Sequence, residues 1–239
     1  MADGLFLVGS SRGVGQTLVG LGLVGVLRSF GVDATMMTPI TTGGSAESAA
    51  DALSRLGVED PRHLTEPVKF ETMAAPYVAS KIEGKDVSVD AILEAFDELR
   101  RLHDFVIVDG GGILVPIAER FFMIDLLERM GLPSIIVGRT ARGTLNHCLL
   151  TQRMMFVQGA HPLGFILNGF GQFGDGFAEA LNPEVLAELA RPTPVLASIE
   201  WRPSYPDDVP GLVQALADQP DLVEALRAII PPGVSSNLT

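Results

Sequence analysis

Four apolar residues, Leu5, Phe6, Leu7 and Val8, run into the glycine-punctuated segment GSSRGVGQT at positions 9–17, and a long apolar stretch from Thr17 to Phe30 follows, closed by Gly31. A short apolar run, a glycine turn and a long apolar segment stopped by glycine read as strand, loop and helix. The same grammar repeats down the chain. Ala34–Met37 reads as a strand, Ser45–Leu56 as a helix capped by Ser45, Val87–Leu102 as a helix and Phe105–Val108 as a strand. That last run is wholly apolar and rich in β-branched residues, as in a strand buried on both faces of a parallel sheet, and it ends in Asp109 and three glycines. Ile124–Met130, Ser134–Val137, Leu145–Val157, Gly164–Leu167 and Pro183–Leu189 continue the alternation of helix and strand. Such alternation specifies a single α/β domain over residues 1–230, a parallel sheet with helices on both faces, followed by a frayed small-residue tail at 231–239. In open sheets of this kind the crevice lies at the carboxyl ends of the strands, which gathers residues 9–17, 38–44, 109–116 and Asn168 in one place.

Composition closes off several classes. Apolar residues make up 47% of the 239 and charged ones 19%, too much and too little respectively for a disordered chain. The balance of 17 basic against 29 acidic side chains gives a net charge of −12, which disfavours nucleic acid or an anionic membrane surface as a partner. The longest apolar candidate for a membrane span, Leu18–Leu27, is about half the roughly 20 residues that a bilayer requires. A single cysteine, Cys148, excludes an intramolecular disulfide and a thiolate zinc cluster. With no basic leader before Leu5, the expectation is a cytoplasmic protein.

The first loop has the chemistry of an anion site. Glycines between a strand and a helix let backbone N–H groups approach a phosphate, and the helix N-terminus favours negative charge. A complete phosphate loop ends in Gly-Lys-Ser/Thr, whereas here Gly15 and Thr17 flank Gln16. The chain holds three lysines, Lys69, Lys81 and Lys85, none near the loop in sequence, which leaves Arg12 as the nearest cation. A second reading shares the loop: Gly9, Gly13 and Gly15 have the spacing of the short-chain dehydrogenases, and Tyr77 with Lys81 mimics their Tyr-x-x-x-Lys pair. The roughly 60 residues between these motifs are too few for the βα units that separate them in that fold.

Taken together, the segments resemble dethiobiotin synthetase, a phosphate-loop ligase related to the ParA/MinD group. Gly9–Thr17 resembles its phosphate loop, TPITTG at 38–43 its Lys-Pro-Val segment, and Val108–Pro116 its Val-Glu-Gly-Ala-Gly-Gly turn. The stretch at 48–53 and Phe70–Tyr77 match more loosely, and GTLNHCLLT at 143–151 is the most specific match. The resemblance implies a fold of the phosphate-loop NTPase type, ATP and Mg²⁺ as cofactors, and a diamino acid as substrate. The diamino acid takes up CO₂ as a carbamate, is phosphorylated by ATP and closes to a cyclic urea. It also implies a homodimer that shares its substrate site.

Carried over residue by residue, Gly9, Ser11, Gly13, Val14, Gly15, Gln16 and Thr17 would hold the phosphates, and Thr17, Asp51 and Asp109 would ligate Mg²⁺. Asn168 would read adenine, with Glu200, Trp201 and Arg202 on a second adenine-side segment. Thr42, Gly110 and Gly111 would lie near the substrate, with Gly112 completing the turn after Asp109. The departures fall on the chemistry. Gln16 and Thr38 stand where the family has lysines, Gly13 replaces an acidic residue, Tyr77 a histidine and Asp109 a glutamate, and the turn after Asp109 is one residue shorter. Three readings follow: a ligase of this type with reduced activity or a changed substrate in which Arg12 or an arginine of a partner subunit takes over the missing charge, a nucleotide-binding or regulatory paralogue without phosphoryl transfer, and the NADP-dependent dehydrogenase. Asn146 is expected to cap the helix after it and His147 to be a buried loop-holding histidine, while Met154, Met155 and Phe121–Met123 read as core or dimer contacts. His63, His103 and His161 lack ligand spacing.

Overall fold

In a computed structural model the described residues are 3–43, 49–172 and 177–231. The chain runs β1 (Gly4–Gly9), α1 (Gln16–Ser29), β2 (Ala34–Met37), β3 (Ile40–Thr42), α2 (Ala49–Ser54), α3 (Arg62–Thr65) and β4 (Val68–Phe70). It continues with α4 (Pro76–Glu83), α5 (Val89–Leu102), β5 (Phe105–Asp109), β6 (Pro116–Ala118), β7 (Phe121–Phe122), α6 (Met123–Met130), β8 (Ser134–Arg139) and α7 (Thr144–Val157). The last elements are β9 (Gly164–Phe170), α8 (Phe177–Ala180), α9 (Asn182–Leu189), β10 (Val195–Glu200), α10 (Val209–Ala217) and α11 (Pro220–Ile229). The main sheet has six strands in the order β10-β9-β8-β1-β5-β2, and every neighbouring pair is parallel. Two short two-stranded sheets, β3-β4 and β6-β7, sit beside it.

The apolar runs are continuous because each strand is buried on both faces. Leu5 and Leu7 point into one core with α1, α10 and α11, while Phe6 and Val8 point into a second core with α5, α6 and α7. Phe105 and Ile107 against Val106 and Val108 divide the same way, as the two-residue period of a strand dictates. The unusual apolarity of α1 has the same cause. Val19–Leu27 is buried along its whole length between the sheet and α10, and Gly22 and Gly25 admit Leu216, Leu212 and Val213 where a Cβ would collide with them. Among the described residues no helix is long and apolar enough to cross a membrane.

Helix α5 shows the ordinary amphipathic case. Ile92, Ala95, Phe96 and Leu99 form its buried face, and the Ser88 hydroxyl caps it by accepting from the Ala91 N–H at 3.1 Å. Ser88→Ala is expected to lower stability by about 1 kcal/mol, read as a shift in denaturant midpoint at unchanged slope.

At the amino edge of the sheet, away from the glycine loops, His103 after α5 reaches two carboxylates. Its Nδ1 is 3.0 Å from Asp33 Oδ2 and its Nε2 2.9 Å from Asp60 Oδ1. Thr35 donates to the other Asp60 oxygen, and Arg28 pairs with Asp33 at 2.7 Å. This cluster ties α1, the start of β2, the end of α5 and the segment after α2 to one another.

The expected sheet and its helical cover are present. The Ser45–Leu56 helix is described as Ala49–Ser54, and its expected cap, with Gly44 and Ser48, lies outside the described residues, as does nearly all of the 231–239 tail. Two expectations are corrected. Asn146 does not cap α7, which starts two residues earlier behind Gly143 in the left-handed conformation, and His147 is exposed on that helix rather than buried.

Candidate functional site

The carboxyl ends of β1, β5, β8, β9 and β10 converge as the alternation requires, and they bring Gly9, Asp109, Arg139, Asn168 and Glu200 to one edge of the sheet. The loop from Gly9 is held at its base by two neighbours. The Gly9 N–H donates to the Gly111 carbonyl at 2.8 Å and the Ser10 N–H to the Val137 carbonyl at 2.9 Å. Gly15, with φ of 79°, turns the chain into α1 without a side-chain cap, a left-handed position that disfavours any residue with a Cβ. Among the described residues no hydrogen bond uses the N–H groups of Gly13, Val14 or Gly15. Unsatisfied N–H groups at the start of a 14-residue helix form an anion cradle.

Under the cradle Thr17 and Asp109 meet, with the hydroxyl donating to Asp109 Oδ2 at 2.6 Å across 92 residues of sequence. Burial pushes the Asp109 carboxyl above the usual carboxylate range, and the Thr17 hydroxyl and the Gly111 N–H pull it only partly back. With no cation among the described residues that bears on it, this buried carboxylate favours a ligand that brings positive charge. The hydroxyl and carboxylate oxygens are hard donors of the kind Mg²⁺ takes one or two of, leaving its other positions to water and phosphate. Gly110 completes the corner: its N–H donates to the Leu7 carbonyl at 3.2 Å, and Phe6 packs where a Cβ would stand.

Gln16 occupies the lysine position and does not point into the cradle. It is 9% exposed, and its Nε2 donates to the same Leu7 carbonyl at 2.8 Å, while its Oε1 lies against Gly9 where a Cβ would clash. The side chain therefore welds the start of α1 to the junction of β1 and the Asp109 turn. A neutral donor fills the second acceptor site of a buried carbonyl, which is a structural use of the position.

Two clefts flank the loop. One, of about 210 Å³, is lined by Gly13–Gly15, Arg139, Asn168, Trp201, Arg202 and Tyr205 among others. Asn168 donates through Nδ2 to the Val14 carbonyl at 3.0 Å and lies so close to Gly15 that a Cβ there would collide with it. Arg202 is held by Glu200, with Nε and Nη2 3.1 and 3.0 Å from the same carboxylate oxygen, and stacks 5.7 Å from the centre of the Tyr205 ring. The other cleft, about 390 Å³ and largely apolar, lies over Gly9, Ser10 and Gly112 and is walled by Ile113, Leu114, Leu150 and Met154.

The structure thus gathers Gly9–Thr17, Asp109–Gly112, Asn168 and Glu200–Arg202. It does not gather the rest in the same way. Asp51 sits on α2 in an ion pair with Arg62. Thr38 follows β2 and donates its N–H to the Thr65 carbonyl at 2.8 Å, and Thr42 ends β3 opposite Phe70. Arg12 and Ser11 lie at the loop's outer tip, Arg12 exposed and absent from the lining of both clefts. Arg139 is the cation that the sequence reading missed. Its position as the last residue of a buried strand was the available signal. Tyr77 is half-buried on α4 with the Lys81 ammonium 4.9 Å above its ring, a surface cation–π pair.

The parallel sheet, the glycine loop and the Thr17–Asp109 pair define a domain of the phosphate-loop NTPase fold. Solved structures agree on the fold. MinD with Mg-ADP from Pyrococcus horikoshii superposes with a TM-score of 0.64 at 18% identity over 99% of both chains, and a ParA family ATPase from Chlorobium tepidum with 0.55 at 13% over 98% of both. A family profile described as an AAA domain matches residues 3–207. An ATP-dependent dethiobiotin synthetase BioD from Anaeromyxobacter dehalogenans is 36% identical over 219 residues, covering 90% of this chain and 97% of that protein. A protein of the same name from Bacillus licheniformis is 32% identical over 188 residues, covering 77% and 80%. The chain belongs to the dethiobiotin synthetase family. The dehydrogenase reading of the loop is thereby set aside.

Proposed function

We propose that this chain is an ATP-dependent ligase of the dethiobiotin synthetase type that works with a weakened hold on the terminal phosphates. The observation that carries the proposal is the meeting of Thr17 and Asp109 beneath an open N–H cradle whose lysine position is a buried glutamine. The polar and aromatic cleft takes the base and ribose, with Asn168, Glu200, Trp201 and Arg202 on its walls. The apolar cleft on the other side of the loop suits the hydrocarbon part of a diamino acid. In the reaction implied, one amine adds to CO₂ as a carbamate, and a carbamate oxygen takes the γ-phosphoryl group as ADP leaves. The second amine then attacks the carbonyl carbon, loses a proton and expels phosphate as the ring closes.

Such chemistry is mostly the management of charge on phosphoryl oxygens. Thr17 and Asp109 would hold Mg²⁺, which supplies positive charge to those oxygens. The N–H groups of Gly13–Gly15 orient the phosphates. Gln16, committed to Leu7, adds no charge to the transferring group. A homodimer completes the proposal, its test being the mass in solution by light scattering.

The assay combines the protein with Mg·ATP, bicarbonate and a diamino acid bearing amines on adjacent carbons, and follows ADP together with the cyclic urea by mass spectrometry. Expected is ATP-dependent urea formation about 10²- to 10³-fold slower than by a lysine-containing relative assayed alongside, the usual effect of losing one such stabiliser. Equal rates would refute the weakened hold, and absence of nucleotide binding would refute the ligase reading. Binding without turnover would identify the non-catalytic paralogue, a reading that the inward-turned Gln16 also favours.

A further inference from the structure

We infer that the site holds its nucleotide chiefly by the base end and scarcely distinguishes a nucleoside triphosphate from the diphosphate. The inference rests on the nucleotide reading proposed above and specifies which part of the ligand the protein grips. A phosphate loop prefers the triphosphate when its lysine supplies a charge-assisted bond to the β- and γ-oxygens, roughly twice the strength of a neutral one. Here the residue at that position is neutral, and its amide nitrogen is anchored to the Leu7 carbonyl at 2.8 Å. The three lysines of the chain are engaged elsewhere. Lys69 lies 3.8 Å from Glu71, Lys81 stacks on Tyr77, and Lys85 donates to the Lys69 carbonyl at 3.1 Å. The terminal phosphates are left with the neutral N–H cradle and whatever cation they bring.

The opposite end of the ligand meets a different surface. Trp201, the single tryptophan of the chain, stands in the cleft wall, and its backbone N–H donates to the Phe170 carbonyl at 2.7 Å, which ties its backbone to the end of β9. Arg202 is exposed, pairs with Glu200 and lies over the Tyr205 ring. An indole and a guanidinium are stacking platforms for a planar heterocycle, and stacking of a base on an aromatic ring is sensitive to truncation of that ring. Asn168 and Arg139 flank the same space. Groups that recognise the base thus outnumber groups that recognise the γ-phosphate.

Calorimetric titration of the full chain in Mg²⁺ with ATP, ADP and AMP tests the inference. Dissociation constants for ATP and ADP within about threefold are expected, as is a common weakening of both by about tenfold or more in Trp201→Ala, with Trp201→Phe restoring most of the loss. Circular dichroism of the variants separates loss of stacking from loss of fold. ATP binding more than tenfold tighter than ADP, or a Trp201→Ala variant of unchanged affinity, overturns the inference and leaves the ligase reading standing. Failure of all three nucleotides to bind overturns both.

Discussion

A Gln16→Lys variant is expected to bind Mg·ATP at least tenfold more tightly than the parent chain, and to raise the rate of any ATP-dependent turnover by about 10²- to 10³-fold. The physical reason is local. The residue before Thr17 stands at the first turn of α1, directly behind the open N–H groups of Gly13–Gly15, and a flexible four-carbon stem can carry an ammonium from there to the phosphate oxygens. The amide of glutamine is shorter, neutral and already bonded to Leu7. The exchange is not free of cost. Removing the Gln16 donor leaves one acceptor site of the Leu7 carbonyl unfilled, although the Gly110 N–H still bonds it, so a stability loss of about 0.5–1.5 kcal/mol accompanies the gain in affinity. Calorimetry with ATP and with ADP, alongside a denaturant titration, reads both effects. Unchanged ATP affinity in a folded variant would show that the loop does not cradle phosphate.

Much of the fold was legible because its cause is local. β1, β5, β8 and β9 are buried on both faces, so their sequences are unbroken apolar runs that end in glycine or a polar residue where the crevice begins. β10 escaped notice for the opposite reason. It lies at the sheet edge, follows Pro192 and Pro194, contains Ser198 and pairs with β9 through register shifts, so neither a clean alternation nor an apolar run marks it. The cap of α10 is legible in the sequence, since Asp208 accepts from the Gly211 N–H at 3.0 Å with Pro210 in the first turn.

In the site, the gathering of residues 9–17 and 109–116 at one crevice followed from the sheet type, and the meeting of Thr17 with Asp109 from the resemblance. The inward turn of Gln16 did not, because it depends on an acceptor at Leu7 that becomes available only when β1 and β5 pair. Asp51, which the resemblance makes a metal ligand, stands on α2 in an ion pair with Arg62, eleven residues on, a pairing that the family pattern does not show. The compensating role assigned to Arg12 was an inference from nearness in sequence. Arg12 lines neither cleft, whereas Arg139, at the end of β8, lines the cleft beside Gly13–Gly15 that is proposed for the base and ribose.

The stability of the protein is expected to fall as the pH rises through the neutral range, and His103 is the reason. Both ring nitrogens face carboxylate oxygens, so both must donate and the ring must be the imidazolium. The hydrogen bond to Asp60, opposed by burial and reinforced by the charges of Asp60 and Asp33, holds the His103 pKa above its ordinary value of about 6.5. Burial works against the charge of Asp60, but the bonds from His103 and Thr35 outweigh it and keep that carboxyl below the usual range. The signs then follow. A raised histidine pKa contributes stability that is complete below about pH 6.5 and is lost as the pH climbs through the folded value, at no more than about 1.4 kcal/mol per pH unit. A lowered carboxyl pKa contributes stability that is complete above about pH 4 and is lost only as the pH falls through the folded value. The clasp is therefore strongest in mildly acidic solution. Removing one partner of a largely buried ion pair leaves the others uncompensated. Because Asp33 is half exposed and keeps Arg28, His103→Ala is expected to cost about 2–3 kcal/mol, less than a fully buried pair would. Denaturant midpoints of the parent chain and of His103→Gln between pH 5 and 9 give the decisive comparison. The parent should lose more stability across this range than the variant, which keeps only the slope of groups such as the raised Asp109 carboxyl, whereas parallel curves would place the pH dependence elsewhere in the protein.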